Sequence, residues 1–505
     1  MNKPSAAFAA SRFGLGLRRD DADAMGRDPL AALLGDIENP KPLARGKTLK
    51  PASEILLAMR EFQAARAERL AATGLSGRAR KKASEAAMSS DDAGSSAMAM
   101  ESRAMESQAM ESGAMADGSP AKMKSGATKA SMEEKKPPQG AFYRADLAAK
   151  SAQLQNAPIG YFERLVDFWS NHFAVELGKN AITLATTGAY EREAIRPHVL
   201  GRFEDMLLAV ARHPAMLTYL DNRISFGVNS QLVERNSRFG LNENFGREML
   251  ELHTVGVDGG YDQDDVRALA NALSGWTFGL NPRQPDKVGV FAFTERMHEP
   301  GPVTVMGKTY PQKGEDQAKA IIADLARHPA TARHLSRKLV QSFVADEPQP
   351  ELVEQLAKVY LASDGDLFAL AKELVTAPKS WEAPRTKLRS PQEFLFASAR
   401  ALNVPIKAGE VRRTLTVLGQ AMWRPTSPAG FPGDSRYWLA ADAMTNRLDV
   451  AQYLGARSKS GDPRAVAEAM LGDLLSAPTR EAIARAESPG QAYALLLMSP
   501  EFQRR

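Results

Sequence analysis

Helix-to-helix junctions at proline recur along this sequence, and they constrain the fold more than any other feature. Apolar stretches with helical spacing run into such junctions in "LLAVARHPAML" (207–217), "IIADLARHPATARHL" (321–335), "LAKELVTAPKSW" (370–381), "LGDLLSAPTREAI" (471–483) and "LLLMSPEF" (495–502). The residue before Pro is pushed out of the helical conformation, whereas Pro itself suits the first position of the next helix. The sequence therefore predicts a mainly α fold, an irregular multi-helix body of stacked helical hairpins.

An abrupt change of composition divides the chain into three parts. Residues 83–139 contain mainly Ala, Ser, Met, Glu and Lys and no aromatic residue. Such a segment cannot bury enough apolar surface to offset the entropy lost on ordering, so we expect a long disordered insertion. Residues 1–82 are predicted to form N-terminal helices that pack on the main body, and residues 140–505 to form the main helical domain.

A methionine repeat within this insertion favours a copper-handling function as one alternative. The stretch "AMESRAMESQAMESGAM" places Met100, Met105, Met110 and Met115 five residues apart. Thioether sulfur is a soft ligand that selects Cu(I). The whole sequence has no Cys, no His-x-His and no HExxH pattern. Thiolate metal sites and disulfides are therefore excluded, and no further metal site is predicted.

Two segments interrupt the helical pattern. "DKVGVFAF" (286–293) and "PVTVMGKTY" (302–310) alternate apolar and polar residues, which predicts one inserted β-hairpin near 286–310. "SPAGFPGDSRYW" (427–438) combines Pro and Gly with three aromatic residues. We expect it to belong to a lid-like loop near 424–438 that lies over the helical body.

Charge and hydropathy bear on the partners and the location of the chain. The net charge of +5 is small and the Lys and Arg residues are spread along the sequence, so no nucleic-acid partner is expected. No stretch reaches the roughly 18 apolar residues of a membrane span. Arg12 interrupts the short apolar N-terminal stretch, so no signal peptide is recognisable and a cytoplasmic location is the default. The absence of Cys leaves export open.

The richest candidate site is "NENFGREMLELH" (242–253), which combines Asn, Glu, Arg and His within twelve residues. On a regular α-helix the stretch has an apolar face of Phe245, Met249 and Leu252 and a neighbouring polar face of Asn244, Glu248 and Glu251. Polar groups beside a core stripe are at least partly buried and need partners. We expect the polar face to contact residues 169–172, and Arg247 to pair with Glu243 or Glu251.

Histidine adds proton-transfer chemistry to this candidate site. His172 lies in "DFWSNHFAV" (167–175), whose aromatic residues predict a buried imidazole with a lowered pKa. Carboxylates and imidazoles in one cleft favour a hydrolase-type enzyme with general acid–base catalysis as the first alternative function. Its predicted catalytic residues are Glu248, Glu251, His253 and His172. The Asp residues that follow predict instead a capping box, with Asp262 as the N-cap of the next helix.

Several motifs together resemble a known family. They are "RFGLGLR", "FWSNHFAV", "NENFGREMLELHTVGVDGGYDQDDVRALANALSGWTF", "HPATARHLSRKLVQSFV", "SPQEFLFASAR" and "RPTSPAGFPG". In this order they look like the bacterial domain-of-unknown-function family 1800, over nearly the whole chain except the Met-rich segment. The resemblance implies no established activity, no assigned catalytic residue and no known cofactor. It does imply a partner, because members of this family accompany the exported, sulfatase-like domain-of-unknown-function family 1501.

The sequence therefore favours a binding or accessory protein that acts with a partner protein, and a sulfatase-like member of family 1501 is the expected partner. A hydrolase-type enzyme and a copper-handling protein remain the alternatives. Polar and aromatic side chains of the motifs are the predicted binding residues, namely Trp169, Asn171, Asn242, Asn244, Arg247, Trp276 and Arg424. The cofactor, the ligand and the oligomeric state are left open.

Overall fold

A computed structural model of the chain describes residues 5–18, 25–26, 28–40, 49–72, 136–236 and 238–505. The described N-terminal residues form α1 (Ala6–Arg12), α2 (Pro29–Glu38) and α3 (Ala52–Ala72). The predicted disordered insertion lies outside the described residues, apart from 136–139. The copper-handling alternative, which depends on the methionines of that insertion, lies outside them as well.

Helices dominate the rest of the described chain, which confirms the mainly α fold class. Those before the β-strands are α4 (Gln139–Asn156), α5 (Tyr161–His172), α6 (Ala181–Tyr190), α7 (Phe203–Arg212), α8 (Pro214–Tyr219), α9 (Gln231–Arg235), α10 (Asn244–Glu248) and α11 (Gln263–Leu273). Those after the strands are α12 (Glu315–Arg327), α13 (Pro329–Phe343), α14 (Pro350–Ala362), α15 (Leu367–Thr376), α16 (Lys379–Glu382), α17 (Pro391–Ala401), α18 (Ala408–Val417), α19 (Ala441–Arg457), α20 (Pro463–Leu471), α21 (Ala477–Ala484), α22 (Pro489–Met498) and α23 (Pro500–Gln503).

The repeated pentapeptide ARHPA illustrates the predicted proline junctions. At its first copy Pro214 begins α8, and His213 Nδ1 accepts a hydrogen bond from the backbone N–H of Ala215 at 3.1 Å. At its second copy Pro329 begins α13, and His328 makes the equivalent hydrogen bond at 3.2 Å. Each imidazole takes the N-cap position that Ser, Asp or Asn usually occupies. The predicted end of one helix and start of the next are confirmed at both places.

Two π-helical turns follow regular helices. The first, π1 (Glu191–Ile195), comes directly after α6, and the second, π2 (Met249–His253), comes directly after α10. Such turns close hydrogen bonds from residue i to i+5, are rare, and occur frequently at functional sites. They therefore direct attention to the side chains that they carry, Glu191 at the start of π1 and His253 at the end of π2.

The prediction of one regular α-helix over 242–253 is wrong because of π2. α10 begins at Asn244 and the period changes after Glu248, so the later side chains leave the faces expected from 3.6 residues per turn. Leu252 is half-buried instead of lying in the core. Of the predicted buried polar face, Glu248 and Glu251 are half-buried, whereas Asn244 is exposed.

Short strands form two antiparallel pairs in the described chain. They are β1 (Trp276–Phe278) with β2 (Phe291–Phe293), and β3 (Val303–Val305) with β4 (Lys308–Tyr310). The predicted single hairpin between 286–293 and 302–310 is therefore wrong in its pairing. β3 and β4 both lie within one predicted strand, because Met306 and Gly307 adopt φ values of 48° and 75° and turn the chain back.

The apolar core includes residues of the N-terminal helices together with residues of the later helices. Phe13, which follows α1, packs against Phe343 and Trp381 with ring centroids 6.2 and 4.9 Å away. The side chain of Arg12 is fully buried and donates hydrogen bonds to two backbone carbonyl oxygens in 380–383, each at 2.7 Å. These contacts fix α1 on α13 and α16.

Candidate functional site

A small, partly open pocket of about 80 Å³ lies between α4, α5, π1, α17 and the chain segment 420–431. Its polar lining comprises Lys150, Asp167, Ser170, Asn171, Thr187, Glu191, Gln392 and Gln420, and its apolar lining includes Met422, Trp423, Pro425 and Phe431. Concave sites with a few converging polar groups among apolar walls are the usual form of small-molecule sites. This cavity is named the Lys150 pocket.

An ammonium group held between two carboxylates forms part of the pocket wall. The side chain of Lys150 is buried, and its Nζ lies 2.7 Å from Asp167 Oδ1 and in contact with Glu191 Oε2. Glu191 is also buried, whereas the Asp167 side chain keeps 22% exposure. Buried charges are tolerated where they are paired. With one cation and two anions, however, the charges of this triad do not balance.

The carboxylates of Glu191 and Asp167 both accept further hydrogen bonds. Glu191 Oε2 accepts from Trp423 Nε1 at 2.8 Å and from Ser170 Oγ at 3.1 Å. Asp167 Oδ2 accepts from Gln392 Nε2 at 2.6 Å. Trp423 reaches Glu191 from a left-handed backbone conformation with φ 55°, which is rare for a bulky residue and persists where the surrounding structure enforces it. The indole is thus held at the pocket in spite of backbone strain.

The two carboxylates of the Lys150 pocket differ in acidity. Burial raises the pKa of Asp167 to about 6, against the opposing charge of Lys150. Burial also opposes the ionisation of Glu191, but Lys150 and Arg196 outweigh it and lower the pKa of that carboxyl. Asp167 therefore exchanges a proton near neutral pH while Glu191 stays ionised. Two acids with separated pKa values are the arrangement that general acid–base chemistry uses.

Hydrogen bonds fix the chain segment 424–438 on the helices around the pocket. Asn171 Oδ1 accepts the backbone N–H of Phe431 at 2.7 Å, and Asn171 Nδ2 donates to the Phe431 carbonyl oxygen at 2.9 Å. Gly430 fits beside this pair because a Cβ there would lie 2.4 Å from the Asn171 carbonyl oxygen. Farther along, Lys387 Nζ donates to a backbone carbonyl oxygen of the segment at 2.5 Å. The segment therefore rests on α5 and closes one side of the pocket.

Pro425 also lines a second, open groove, which contains part of the predicted site. The groove is lined by Glu176, Lys179, Tyr219, Asn244, Glu248 and Arg424. Arg424 pairs with Glu176 at 3.5 Å. Burial and, second, the neighbouring Glu251 carboxylate raise the pKa of Glu248. Among the ion pairs of the described residues none includes Glu248, so its carboxylate faces the groove without a cationic partner.

Three histidines form a separate cluster beside π2. The imidazole centroids of His253 and His334 both lie 6.2 Å from that of His172. His172 Nε2 donates to the carbonyl oxygen of His253 at 3.1 Å, and His334 Nε2 donates to that of Leu252 at 3.2 Å. Burial lowers the pKa of His253 to about 3 and that of His334 to about 4, and it also lowers the pKa of His172. The imidazoles are therefore neutral, and two of them cap carbonyl groups of π2.

The predicted catalytic residues are not brought together in one site. They comprise two carboxylates near the groove, Glu248 and Glu251, and two imidazoles in the core, His172 and His253. Within the described chain, no hydrogen bond or ion pair joins these carboxylates to these imidazoles. The physical reason is the change of period in π2, which turns His253 into the core while Glu248 faces the groove.

The predicted binding residues divide between cavities and core. Asn171 lines the Lys150 pocket, and Asn244 and Arg424 line the groove. Trp169 and Trp276, by contrast, are fully buried in the apolar core. A buried indole contributes packing and has no surface to offer a ligand, so these two tryptophans are placed for stability.

The remaining predicted binding residues hold the backbone at the start of α10. Asn242 Oδ1 accepts the backbone N–H of Asn244 at 2.9 Å. Arg247 pairs with Glu243 at 3.2 Å, which is one of its two expected partners. Glu243 also accepts from Gln263 Nε2 at 2.7 Å. These contacts tie α10 to α11.

Sequence reasoning missed the charged residues of the Lys150 pocket. One signal was present, because Lys150 lies at helical spacing between the apolar residues Leu147 and Leu154 of α4. A charged residue in a core stripe needs a partner. Its partners Asp167 and Glu191 lie on other elements, however, and π1 has no recognisable sequence pattern. The pocket therefore depends on tertiary contacts that one sequence does not display.

Comparison with known proteins bears on the family of the chain. A family model described as "Protein of unknown function (DUF1800)" matches residues 9–504. The chain belongs to this family. The resemblance seen in the motifs is thereby confirmed over nearly the whole sequence. No curated protein and no solved structure matches the chain, so the activity of this DUF1800 protein has to be argued from its own site.

The described residues of this DUF1800 protein include neither a candidate membrane span nor a cluster of metal ligands. None of the helices there has the length and apolar character needed to cross a bilayer. No three His, Asp or Glu side chains there are grouped so that they could hold a metal ion. The best candidate site is the Lys150 pocket, because it combines a cavity, a charged triad and two carboxyl groups, Asp167 and Glu191, whose pKa values are shifted in opposite directions.

Proposed function

We propose that this DUF1800 protein is a binding protein whose ligand site is the Lys150 pocket. The observation that supports the proposal is the buried triad of Lys150, Asp167 and Glu191, which lies on the wall of a cavity. Ion pairs buried inside a fold contribute little net stability compared with well-packed apolar residues. A triad beside a cavity, with an exchangeable proton on Asp167, is suited instead to holding a ligand.

The lining of the pocket defines the chemistry of the ligand. The carboxylates of Asp167 and Glu191 accept hydrogen bonds and give the triad a surplus of negative charge. Trp423 and Phe431 offer aromatic surface for an apolar or CH-rich face. We therefore propose a small neutral or cationic molecule with several hydroxyl or amino groups.

Ligand binding is tested by saturation-transfer NMR, with a panel of monosaccharides, polyols and small amines as probes. Wild type is expected to bind at least one class. Ala174→Met fills the pocket without a change of charge and should abolish that binding. Ala477→Met, at an exposed position on α21, is the matched control and should bind as wild type does. Retained binding by a folded Ala174→Met variant would place the ligand elsewhere.

An accessory role toward a partner protein is the second element of this proposal. The family resemblance implies a sulfatase-like partner of family 1501. Exposed apolar side chains around α18 and α19 support protein docking, and they are Val417, Tyr437, Leu439, Leu448 and Tyr453. Asn446 Nδ2 donates to the Val417 carbonyl oxygen at 3.0 Å, which brings the end of α18 against α19. Apolar side chains that are grouped on a surface are suited to protein docking.

Co-purification with a family 1501 protein of the same genome tests the accessory role. The double variant Tyr437→Ser with Leu439→Ser should weaken capture at least severalfold. Leu361→Ser removes an exposed apolar side chain of α14 and should leave capture unchanged. Failure of wild type to capture the partner removes the accessory role and leaves the ligand-binding proposal intact.

A hydrolase-type enzyme is the second candidate function, and the separated acidities of the pocket favour it. Asp167, which is protonated below about pH 6, serves as general acid, while ionised Glu191 serves as proton acceptor. These two carboxylates would then take the role predicted for Glu248 and Glu251. Turnover of chromogenic glycoside, ester or phosphate substrates should fall above about pH 6 and disappear in Asp167→Asn. A pocket that binds a probe and leaves it unchanged favours the binding protein.

A further inference from the structure

The Lys150 pocket and the open groove meet at one place in the fold. Two chain segments, 174–176 and 422–425, run from one cavity to the other, because the first two residues of each line the pocket and the third lines the groove. Pro425 lines both cavities. The backbone N–H of Leu177 donates to the carbonyl oxygen of Trp423 at 3.1 Å, so the two segments lie side by side. The pocket and the groove are therefore neighbouring parts of one concave surface.

The two cavities differ in size. The pocket has a volume of about 80 Å³, which is room for about six water-sized groups. The groove has a volume of about 680 Å³ and is more open to solvent. A sugar ring with its hydroxyl groups is larger than the space in the pocket, whereas the end of an unbranched chain fits it. The pocket therefore suits the end of a thin chain, and the groove has room for the rest of that chain.

The pocket has a surplus of one negative charge and an acceptor atom that is still available. Above about pH 6 Asp167 is ionised, so two carboxylates face the single ammonium group of Lys150. All three donors to Glu191, from Lys150, Ser170 and Trp423, bond to Oε2. No hydrogen bond among the described residues uses Glu191 Oε1. A terminal ammonium group matches this end of the surface.

The groove supplies a second carboxylate whose charge is not balanced. Both cations that line it are already paired, Arg424 with Glu176 at 3.5 Å and Lys179 with Asp221 at 2.6 Å. Glu248 also lines the groove, and it has no ion pair in the part of the chain that the structure describes. A second cationic group farther along the same chain matches this position.

We propose that the ligand is a linear aliphatic polyamine, with its terminal ammonium group in the Lys150 pocket and a second ammonium group against Glu248 in the groove. The proposal rests on the binding function proposed for the pocket, and it adds the class of the ligand and the direction in which the ligand lies. Binding makes and breaks no covalent bond. Two contacts joined in one molecule bind more tightly than either alone, because the second forms at a high effective concentration.

Calorimetric titration with two amines tests the proposal, at pH 7.5 and physiological salt, where exposed charges are partly screened. n-Butylamine reaches only the pocket, whereas spermidine has further ammonium groups for the groove. Wild type is expected to bind spermidine about tenfold or more tightly than n-butylamine, and Glu248→Gln should reduce this preference to about threefold or less. Glu382→Gln, which removes one exposed carboxylate on α16, is the matched control and should keep the full preference.

The results distinguish failure of this proposal from failure of the pocket as a binding site. Equal affinities of wild type for the two amines, or a preference that persists in Glu248→Gln, would overturn the polyamine assignment and leave the pocket in place. Binding of a monosaccharide without binding of either amine would do the same. Amine binding that Ala174→Met leaves unchanged would also overturn it, because the pocket is then not used. Wild type that binds none of the probes would remove the function proposed for the pocket together with the polyamine assignment.

Discussion

Two buried ionic clusters of this protein have opposite charge arrangements. At Glu393 one carboxylate pairs with two arginines, whereas at Lys150 one ammonium group pairs with two carboxylates. Glu393 pairs with Arg164 at 2.8 Å and with Arg505 at 3.0 Å. The guanidinium of Arg505 also donates to two carbonyl oxygens at the end of α13, at 3.2 and 2.6 Å. The Lys150 triad, in contrast, lines a cavity. The first group is called the Glu393 cluster.

The sign of the surplus charge decides what each cluster can do. Burial opposes the ionisation of Glu393, but Arg164 and Arg505 outweigh it and lower the pKa of that carboxyl to about 2. At Asp167 burial prevails over Lys150 and raises the pKa to about 6. The Glu393 cluster therefore stays fully charged and fastens helices together. The Lys150 triad, in contrast, contains a carboxyl group, Asp167, that takes up a proton at about pH 6 beside a cavity.

The largest effect is expected from Glu393→Gln. The change keeps the shape of the side chain but leaves buried guanidinium groups without their anion, which should cost about 3 kcal/mol or more of unfolding free energy. Urea denaturation measures the loss. Glu382→Gln, at an exposed position on α16, is the control and should change stability by less than about 0.5 kcal/mol. A loss below about 1 kcal/mol for Glu393→Gln would show that the arginines find other partners.

Opposite pH dependences should separate the two clusters. The folded pKa of Glu393 is below its unfolded value, so its stabilisation is fully present above pH 4.5 and is lost as the pH falls through about 2. The folded pKa of Asp167 is above its unfolded value, so its stabilisation is present below pH 3.8 and is lost as the pH rises through about 6. Relative to wild type, Glu393→Gln should recover on acidification, and Asp167→Asn should gain on the order of 2 kcal/mol between pH 4 and pH 7.

Urea denaturation at a series of pH values provides both profiles. The comparison uses differences from wild type at each pH, because other groups titrate equally in all three chains. Parallel profiles for Glu393→Gln and Asp167→Asn would contradict the distinction between the clusters.

A smaller effect is expected from Gly430→Ala, which perturbs the wall of the Lys150 pocket and leaves the Glu393 cluster untouched. Gly430 and Gly461 both have positive φ values, 83° and 90°. A Cβ at 430 would lie 2.4 Å from the Asn171 carbonyl oxygen, whereas a Cβ at 461 meets nothing within 4 Å. Gly461→Ala should therefore cost about 1 kcal/mol from backbone strain, and Gly430→Ala about 2 kcal/mol. Equal losses would mean that the segment 424–438 moves aside freely.

The smallest effect is expected from Glu248→Gln in the open groove. Glu248 is half-exposed, has no ion pair among the described residues, and lies near the like charge of Glu251. Removing its charge should leave the unfolding free energy within about 0.5 kcal/mol of wild type, or slightly higher. Thermal unfolding at pH 7 measures the change. A loss as large as that of Glu393→Gln would reveal a third structural cluster at this position.

Features that depend on a few consecutive residues were predictable from the sequence. The predicted capping box is present, since the Asp262 side chain accepts the N–H of Asp265 and the Asp265 side chain accepts the N–H of Asp262. The proline junctions at Pro214 and Pro329 are likewise present. In each case the physical cause, a missing N–H or a capping oxygen, acts within one helical turn.

Features that depend on distant residues were not predictable in the same way. π2 adds a residue to a helical turn whose sequence looks regular, so Leu252 is only half-buried instead of lying in the core, whereas Met249 is buried as expected. β4 was placed inside a longer strand because Met306 and Gly307 lack the usual turn residues at the first position. Lys150 meets its two carboxylates through the packing of α4, α5 and π1, which no local pattern encodes.

The position of Arg505 has a consequence for how the chain is made. A ribosome releases α5, with Arg164, long before it releases Glu393, and residue 505 emerges later still. Until then the guanidinium of Arg164 lacks its ion-pair partner, because Glu393, and Arg505 that pairs with the same carboxylate, have not yet been synthesised. The final packing of α5 is therefore a late, collective event, because contacts so far apart in sequence form slowly. Shortening the chain before residue 505 should loosen helices that were synthesised first.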